Sequence, residues 1–263
     1  MKNKSELVRE FLPVGLPPRL YKFCKIDDYL HHSLKSGYLW HSKRNSFNDP
    51  YDCYSPLLKY EPTYDQLVEY AKRTLLPGES LQDITEYVTN NPRKVIEGYL
   101  NTADEVIDEM GICCFTTNYS NTLMWSHYAK HHKGICLGFD PHKDVTSFLV
   151  AKVRYKDDFV QINYFDDPNS NAMIMYTTKA KDWEYEEEYR LVNPRSGEIP
   201  CNKQALVEII FGCKCSQDDM LAVINTLETT GYSGVSYLKA EMRSDSYSLS
   251  FRDSPWLNAT SNL

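Results

Sequence analysis

Residues Trp183-Glu184-Tyr185-Glu186-Glu187-Glu188-Tyr189-Arg190 run alternately through aromatic and charged side chains, with Glu187 the one exception. Successive side chains of a β-strand point to opposite faces. The run therefore predicts a strand over 183–192, with Trp183, Tyr185, Tyr189 and Leu191 on one face. Glu184, Glu186, Glu188 and Arg190 fall on the other. The aromatic face requires a core. The charged face requires water, a partner or a substrate, and a cross-strand ion-paired surface is the plainest of these uses. A strand that puts carboxylates in a row at one end of a core reads as a catalytic edge.

The rest of the chain supplies other strands and several helices. Helical periodicity is expected over residues 4–12, stopping at Pro13, and over 26–35, ending at Gly37. Strands are expected over 19–24, 38–42, 111–116, 134–139, 149–155, 206–212 and 234–238. A block over about 60–110 has helical spacing with narrow apolar faces, and reads as a helical insertion or cap. A helix over 120–132 is capped by Asn118 or Ser120, another spans 216–229, and the last 20 residues read as an irregular tail. The class is α+β, one domain over 1–263.

Composition excludes some functions. The net charge of −7 gives no overall basic field for nucleic acid. Two local basic patches remain, one from Arg19, Lys22, Lys25, Lys35, Lys43 and Arg44, the other Lys130-His131-His132-Lys133. Either faces phosphates or is a solvated surface. No stretch approaches the roughly 20 apolar residues of a membrane span, and the N-terminus lacks a signal-type apolar core. The expected location is cytoplasmic, with the eight cysteines as free thiols.

The familiar chemical motifs are missing. There is no GxxxxGK[ST], GxGxxG or GxSxG. His127 and His131 are four apart, as are His132 and Cys136, but no CxxC pairing or HExxH accompanies them, so no metal site is expected. A magnesium-dependent nuclease built on Asp49, Glu186 and Glu188 is one alternative reading. A non-catalytic sensor or binding module is another.

Three motifs carry a resemblance: Phe47-Asn48-Asp49-Pro50, Met124-Trp125-Ser126-His127-Tyr128 and Trp183-x-x-Glu186-x-Glu188-x-Arg190. Over about 20–212, with Ile209-Ile210-Phe211-Gly212, they resemble the mostly bacterial family named domain of unknown function 2971. The order of blocks also resembles the ADP-ribosyltransferase fold, a split β-sheet in which three blocks meet around a cleft that holds NAD. That second resemblance implies an NAD-consuming enzyme. It transfers ADP-ribose to a macromolecular acceptor, protein or nucleic acid, or to water. It implies Glu188 as the catalytic carboxylate, Glu186 beside it for the acceptor, and Arg190 as an orienting charge. Tyr21 and Lys22 stand at the first block, where the family carries His or Arg. Thr116 stands at the second, with Trp125, His127 and Tyr128 on the helix that follows. Asn48 and Asp49 are expected at the cleft mouth. By analogy, small enzymes of this kind serve as toxins or anti-phage effectors, which implies a defence-system partner.

Overall fold

The computed structural model describes residues 15–73 and 80–253. The helix expected over 4–12 lies outside them. The fold is α+β. Its strands are β1 (Leu20–Cys24), β2 (Tyr38–His41), β3 (Leu58–Lys59), β4 (Gly111–Thr116), β5 (Ile135–Phe139), β6 (Ala151–Lys152), β7 (Arg154–Lys156), β8 (Ile162–Asn163), β9 (Thr178–Ala180), β10 (Glu188–Asn193), β11 (Gly197–Pro200), β12 (Leu206–Phe211), β13 (Ser236–Met242) and β14 (Leu249–Asp253). The α-helices are α1 (Asp28–Ser36), α2 (Tyr64–Arg73), α3 (Leu81–Asn90), α4 (Pro92–Glu109), α5 (Thr122–Tyr128), α6 (Pro168–Tyr176) and α7 (Gln217–Thr229).

Eight strands form one mixed sheet in the order β14-β13-β12-β5-β1-β4-β10-β6. One face is covered by α1 and α7. There Leu30 and Leu34 of α1 meet Val223, Ile224 and Leu227 of α7 over Leu20, Phe115, Leu137 and Leu191. Burial of these apolar side chains is the main stabilising term, about 1.5–3 kcal/mol for each. On the other face α5 lays Met124 and Trp125 on Tyr21 and Phe23.

The sheet is split between its central strands. β1 pairs with β5 over five residues, but with β4 only at Tyr21↔Thr116. Beyond that pair the other end of β4 is taken up by Ser42, whose N–H and C=O both bond to Ile112 at 2.9 Å. A gap opens between β1 and β4, and Lys22 reaches into it to donate to the Cys114 carbonyl at 3.3 Å. The register also fixes a line of residues across the sheet. Thr116 pairs with Tyr21 on one side and with Glu188 on the other, so the three side chains share a face.

Three expectations are corrected here. The strand over 183–192 exists only from Glu188 onward. Residues Lys181–Glu186 form a 3-10 turn, and Glu187 takes a left-handed conformation at φ 46° and ψ 49°. Its mixed aromatic and charged composition satisfies either conformation, and tertiary bonds choose the turn: Tyr185 O accepts from Asn121 at 2.9 Å, and the exposed Glu187 carboxylate accepts from Asn118 at 2.8 Å. Secondly, the central helix is shorter than 120–132. Asn121 caps it by accepting from Leu123 and Met124. It stops because Lys130, His131 and His132 all turn left-handed, at φ 48°, 56° and 67°. Thirdly, part of the expected tail is the strand β14, paired antiparallel with β13. The remainder, 254–263, lies outside the described residues.

Candidate functional site

A cavity of about 500 Å³ occupies the split in the sheet. Its walls come from β1 (Tyr21, Lys22), β4 (Cys114, Thr116), α5 (Met124, His127, Tyr128) and the loop after β2 (Phe47, Asn48). Asp52, Lys179, Glu186 and Glu188 close one end. The spacing of Met124, His127 and Tyr128 is three and then one, which puts all three on one side of α5. Trp125 does not line the cavity: it is fully buried against Phe23, with its indole N–H on Tyr119 O at 2.7 Å. The expected cofactor contact from Trp125 is therefore a packing role.

The closed end is an ion cluster built around Arg190, which is fully buried. Its Nε and Nη2 grip the two oxygens of Glu188 at 2.8 and 2.8 Å. Nη1 and Nη2 grip the two oxygens of Asp52 at 2.7 and 2.7 Å. The remaining Nη1 proton goes to Tyr176 O at 2.9 Å. All five guanidinium donors are used, which a lysine could not match. Arg190 is thus no contact for a ligand phosphate. It stands behind Glu188 and fixes its orientation.

Lys179 is the second cation. Its Nζ lies 2.5 Å from Glu186, 3.4 Å from Glu188 and 3.4 Å from Asp52, over the Trp183 ring. The other Glu186 oxygen accepts from Tyr128 OH at 2.7 Å. Tyr155 OH accepts from the Glu188 N–H at 2.8 Å, fixing the start of β10. Burial alone would push the Glu188 carboxyl up. The charge and hydrogen bonds of Arg190, helped by Lys179, overcome it and hold the carboxyl at about 2. Burial would likewise push Lys179 down, but Glu188, Asp52 and Glu186 hold it above its ordinary value. Tyr128 is pushed up by burial and by Glu186, so its hydroxyl stays protonated as a donor.

The cluster holds three carboxylates against two cations, a net excess of one negative charge at this end of the cavity. Lys22 supplies the opposite sign elsewhere on the wall. Among the described residues no carboxylate pairs with it. Its neighbours Cys24, Cys113 and Cys114 are thiols whose values burial raises, so they stay neutral. The cavity thus carries charge of both signs on walls that are otherwise largely apolar, with Phe23, Phe47, Phe115 and Met124 among them.

Asp49 is also corrected. Its Oδ1 accepts from the Tyr51 N–H at 2.9 Å, and its carbonyl accepts from the Asp52 N–H at 3.1 Å. Asp49 makes the turn that delivers Asp52 to Arg190, while Asn48 lines the cavity. The metal-nuclease set of Asp49, Glu186 and Glu188 is thus not assembled on one spot, and both glutamates face cations. Glu186 and Glu188 do come together, but through the turn at Glu187 and not through strand alternation. None of the described residues of α2, α3 and α4 lines the cavity, so the helical block does not roof it. It braces the rim from outside through Arg44–Asp108 and Lys43–Glu109 pairs at 2.7 and 2.5 Å. With Arg19–Asp140 and Lys25–Asp27, these pairs neutralise much of the N-terminal basic cluster.

Asp52, Lys179 and Tyr155 are the residues that sequence reasoning missed. Asp52 lies two residues past the FNDP motif, and a search of that motif's flanks for a partner to Arg190 would have found it. Lys179 sits in the polar run Thr177-Thr178-Lys179-Ala180-Lys181 with nothing to mark it.

A family model described as "Protein of unknown function (DUF2971)" matches residues 124–191. The span runs from α5 to β10, and includes two of the three motifs and the Lys179–Glu186–Glu188 group. FNDP lies outside it. No curated protein and no solved structure matches the chain. No helix among the described residues is long and apolar enough to cross a membrane.

Proposed function

We propose that the chain is an NAD-consuming enzyme of ADP-ribosyltransferase type, cleaving the nicotinamide–ribose bond and passing ADP-ribose to a macromolecular acceptor or to water. One observation carries the reading. Tyr21, Thr116 and Glu188 stand in register across the adjacent strands β1, β4 and β10 on the rim of one cavity. The resemblance in sequence puts the NAD cleft where those three blocks meet. The volume of about 500 Å³ lies within the roughly 300–1,000 Å³ of ligand pockets.

The charges suit the chemistry. Cleavage of the bond builds positive charge on the ribose. Glu188 is ionised, fixed by Arg190 and backed by one excess negative charge, so it acts where that charge develops. Glu186, bonded to Tyr128, is placed to orient or deprotonate an acceptor. Lys22, with which no carboxylate among the described residues pairs, takes a phosphate as a point charge. A role as a toxin or defence effector belongs to the same reading.

The test is incubation of the protein with nicotinamide-labelled and adenylate-labelled NAD and a cell lysate. Wild type is expected to release nicotinamide, and Glu188→Gln to lose at least about 100-fold of that rate. Tyr128→Phe keeps the fold and loses about tenfold or more. Absence of both release and transfer with wild type overturns the reading. Activity that disappears with chelator favours the nuclease alternative, and function intact in Glu188→Gln favours the non-catalytic one.

A further inference from the structure

Behind the ion cluster lies a second recess of about 220 Å³, and Lys179 is part of the wall of both. Three aromatic rings border it, and all are exposed: Tyr51 by 65%, Tyr54 by 39% and Phe159 by 55%. Tyr54 sits between the other two, edge-on to Tyr51 at 5.6 Å and tilted to Phe159 at 6.0 Å. Three large rings left in water around one hollow are costly unless something flat covers them.

A row of cations leads to this recess. Lys152, Arg154 and Lys156 alternate along β6 and β7, and all three are exposed. Between them Val153 and Tyr155 turn inward, where Val153 N–H donates to Glu188 O at 2.9 Å. The parallel pairing of β7 with β9 puts Arg154 beside Thr178 and Lys156 beside Ala180, and both partners line the recess. Lys156 lines it as well. Asp157 and Asp158 line the recess too, with Asp157 paired to Lys181 at 2.9 Å, and Glu184 of the neighbouring turn also acts on Lys181.

We propose that this surface binds a single-stranded nucleic acid. The phosphates track the Lys152–Arg154–Lys156 row, and one unstacked base enters the recess against Tyr54 and Phe159. Cations in a row with stacking rings at the end are what a single strand requires, because every base has a flat face and every linkage a negative charge. A duplex keeps its bases stacked inside and cannot use the rings. Binding stands independently of the NAD chemistry. Only the further step, that this strand is the acceptor, rests on the proposed activity, through the Lys179 wall shared by the two hollows.

The experiment is fluorescence anisotropy with labelled single strands of about 12 nucleotides, RNA and DNA, in the absence of NAD. A duplex of the same length and an acidic peptide serve as competitors. Wild type is expected to bind the single strand and to weaken steeply with salt. Tyr54→Ala with Phe159→Ala is expected to lose about tenfold or more. The triple change Lys152→Glu, Arg154→Glu and Lys156→Glu is expected to lose affinity and most of the salt dependence. Melting curves are recorded for each variant, so that a loss of affinity is scored only for folded protein, and Trp40→Ala, 54% exposed against 55% for Phe159, serves as the control on another strand. The proposal is overturned if wild type does not bind. It is overturned equally if the duplex competes as well as the single strand, if the aromatic changes have no effect, or if the acidic peptide is preferred. Binding without any NAD activity sustains this inference and counts against the proposed enzyme.

Discussion

Lys179→Met leaves Asp52, Glu186 and Glu188 facing a single guanidinium. Breaking a buried ion pair by removing one partner costs about 3–5 kcal/mol, because a charge is left buried without compensation. Urea unfolding of the variant is expected to show a loss of that size, with Lys179→Arg recovering part of it. Glu188→Gln behaves differently. The amide keeps one acceptor for Arg190, so the expected loss of stability is smaller than that of Lys179→Met while nicotinamide release is abolished. Comparing the two variants separates holding the cluster from using it. At this scale the sequence was partly legible. Glu186, Glu188 and Arg190 stand out by their pattern. Asp52 and Lys179 do not, because a single charged residue in a polar loop has the same local signature whether it is solvated or buried.

The segment from Lys181 to Glu188 controls which carboxylates meet. Glu187 holds the left-handed conformation that a side chain with a Cβ adopts only at a cost of roughly 1–2 kcal/mol. Glu187→Gly is therefore expected to be tolerated, with a melting temperature at or above that of wild type. Glu187→Val, branched at Cβ, is expected to lose about 1–2 kcal/mol and to reduce activity by moving Glu186 away from Lys179. Asn121→Ala removes a helix cap at a cost of about 1 kcal/mol. The same change removes the bond to Tyr185 O that holds the turn at its place, so a larger loss than the cap alone is expected in thermal melts. The alternation of aromatic and charged residues through this segment fits a strand equally well. Its turn conformation is set by Asn118 and Asn121, which lie more than 60 residues earlier, at separations of 69 and 64. No local window contains that information.

The buried ion cluster gives the whole molecule a pH response. Glu188 in the fold lies at about 2 against an ordinary 4.5, so the unfolded chain binds that proton first. Its contribution to stability is complete above about pH 4.5 and is lost as the pH falls toward 2. Lys179 is raised and contributes fully at every pH below its ordinary 10.5. Acid titration of wild type is expected to show a steep loss of stability below about pH 4.5, and Glu188→Gln a shallower one. The amino-acid sequence by itself determined strands at β1, β4, β5 and β12, as short apolar or alternating runs bounded by turn residues, and it determined that carboxylates and an arginine crowd the start of β10. Only the tertiary structure decided that those charges are buried and not solvated. That outcome depends on Asp52, 138 residues before Arg190, closing the second half of its guanidinium, and on β1 leaving β4 after a single pair to open the cavity beside it. Burial of a charge is a property of its partners in space, and here those partners come from distant parts of the chain.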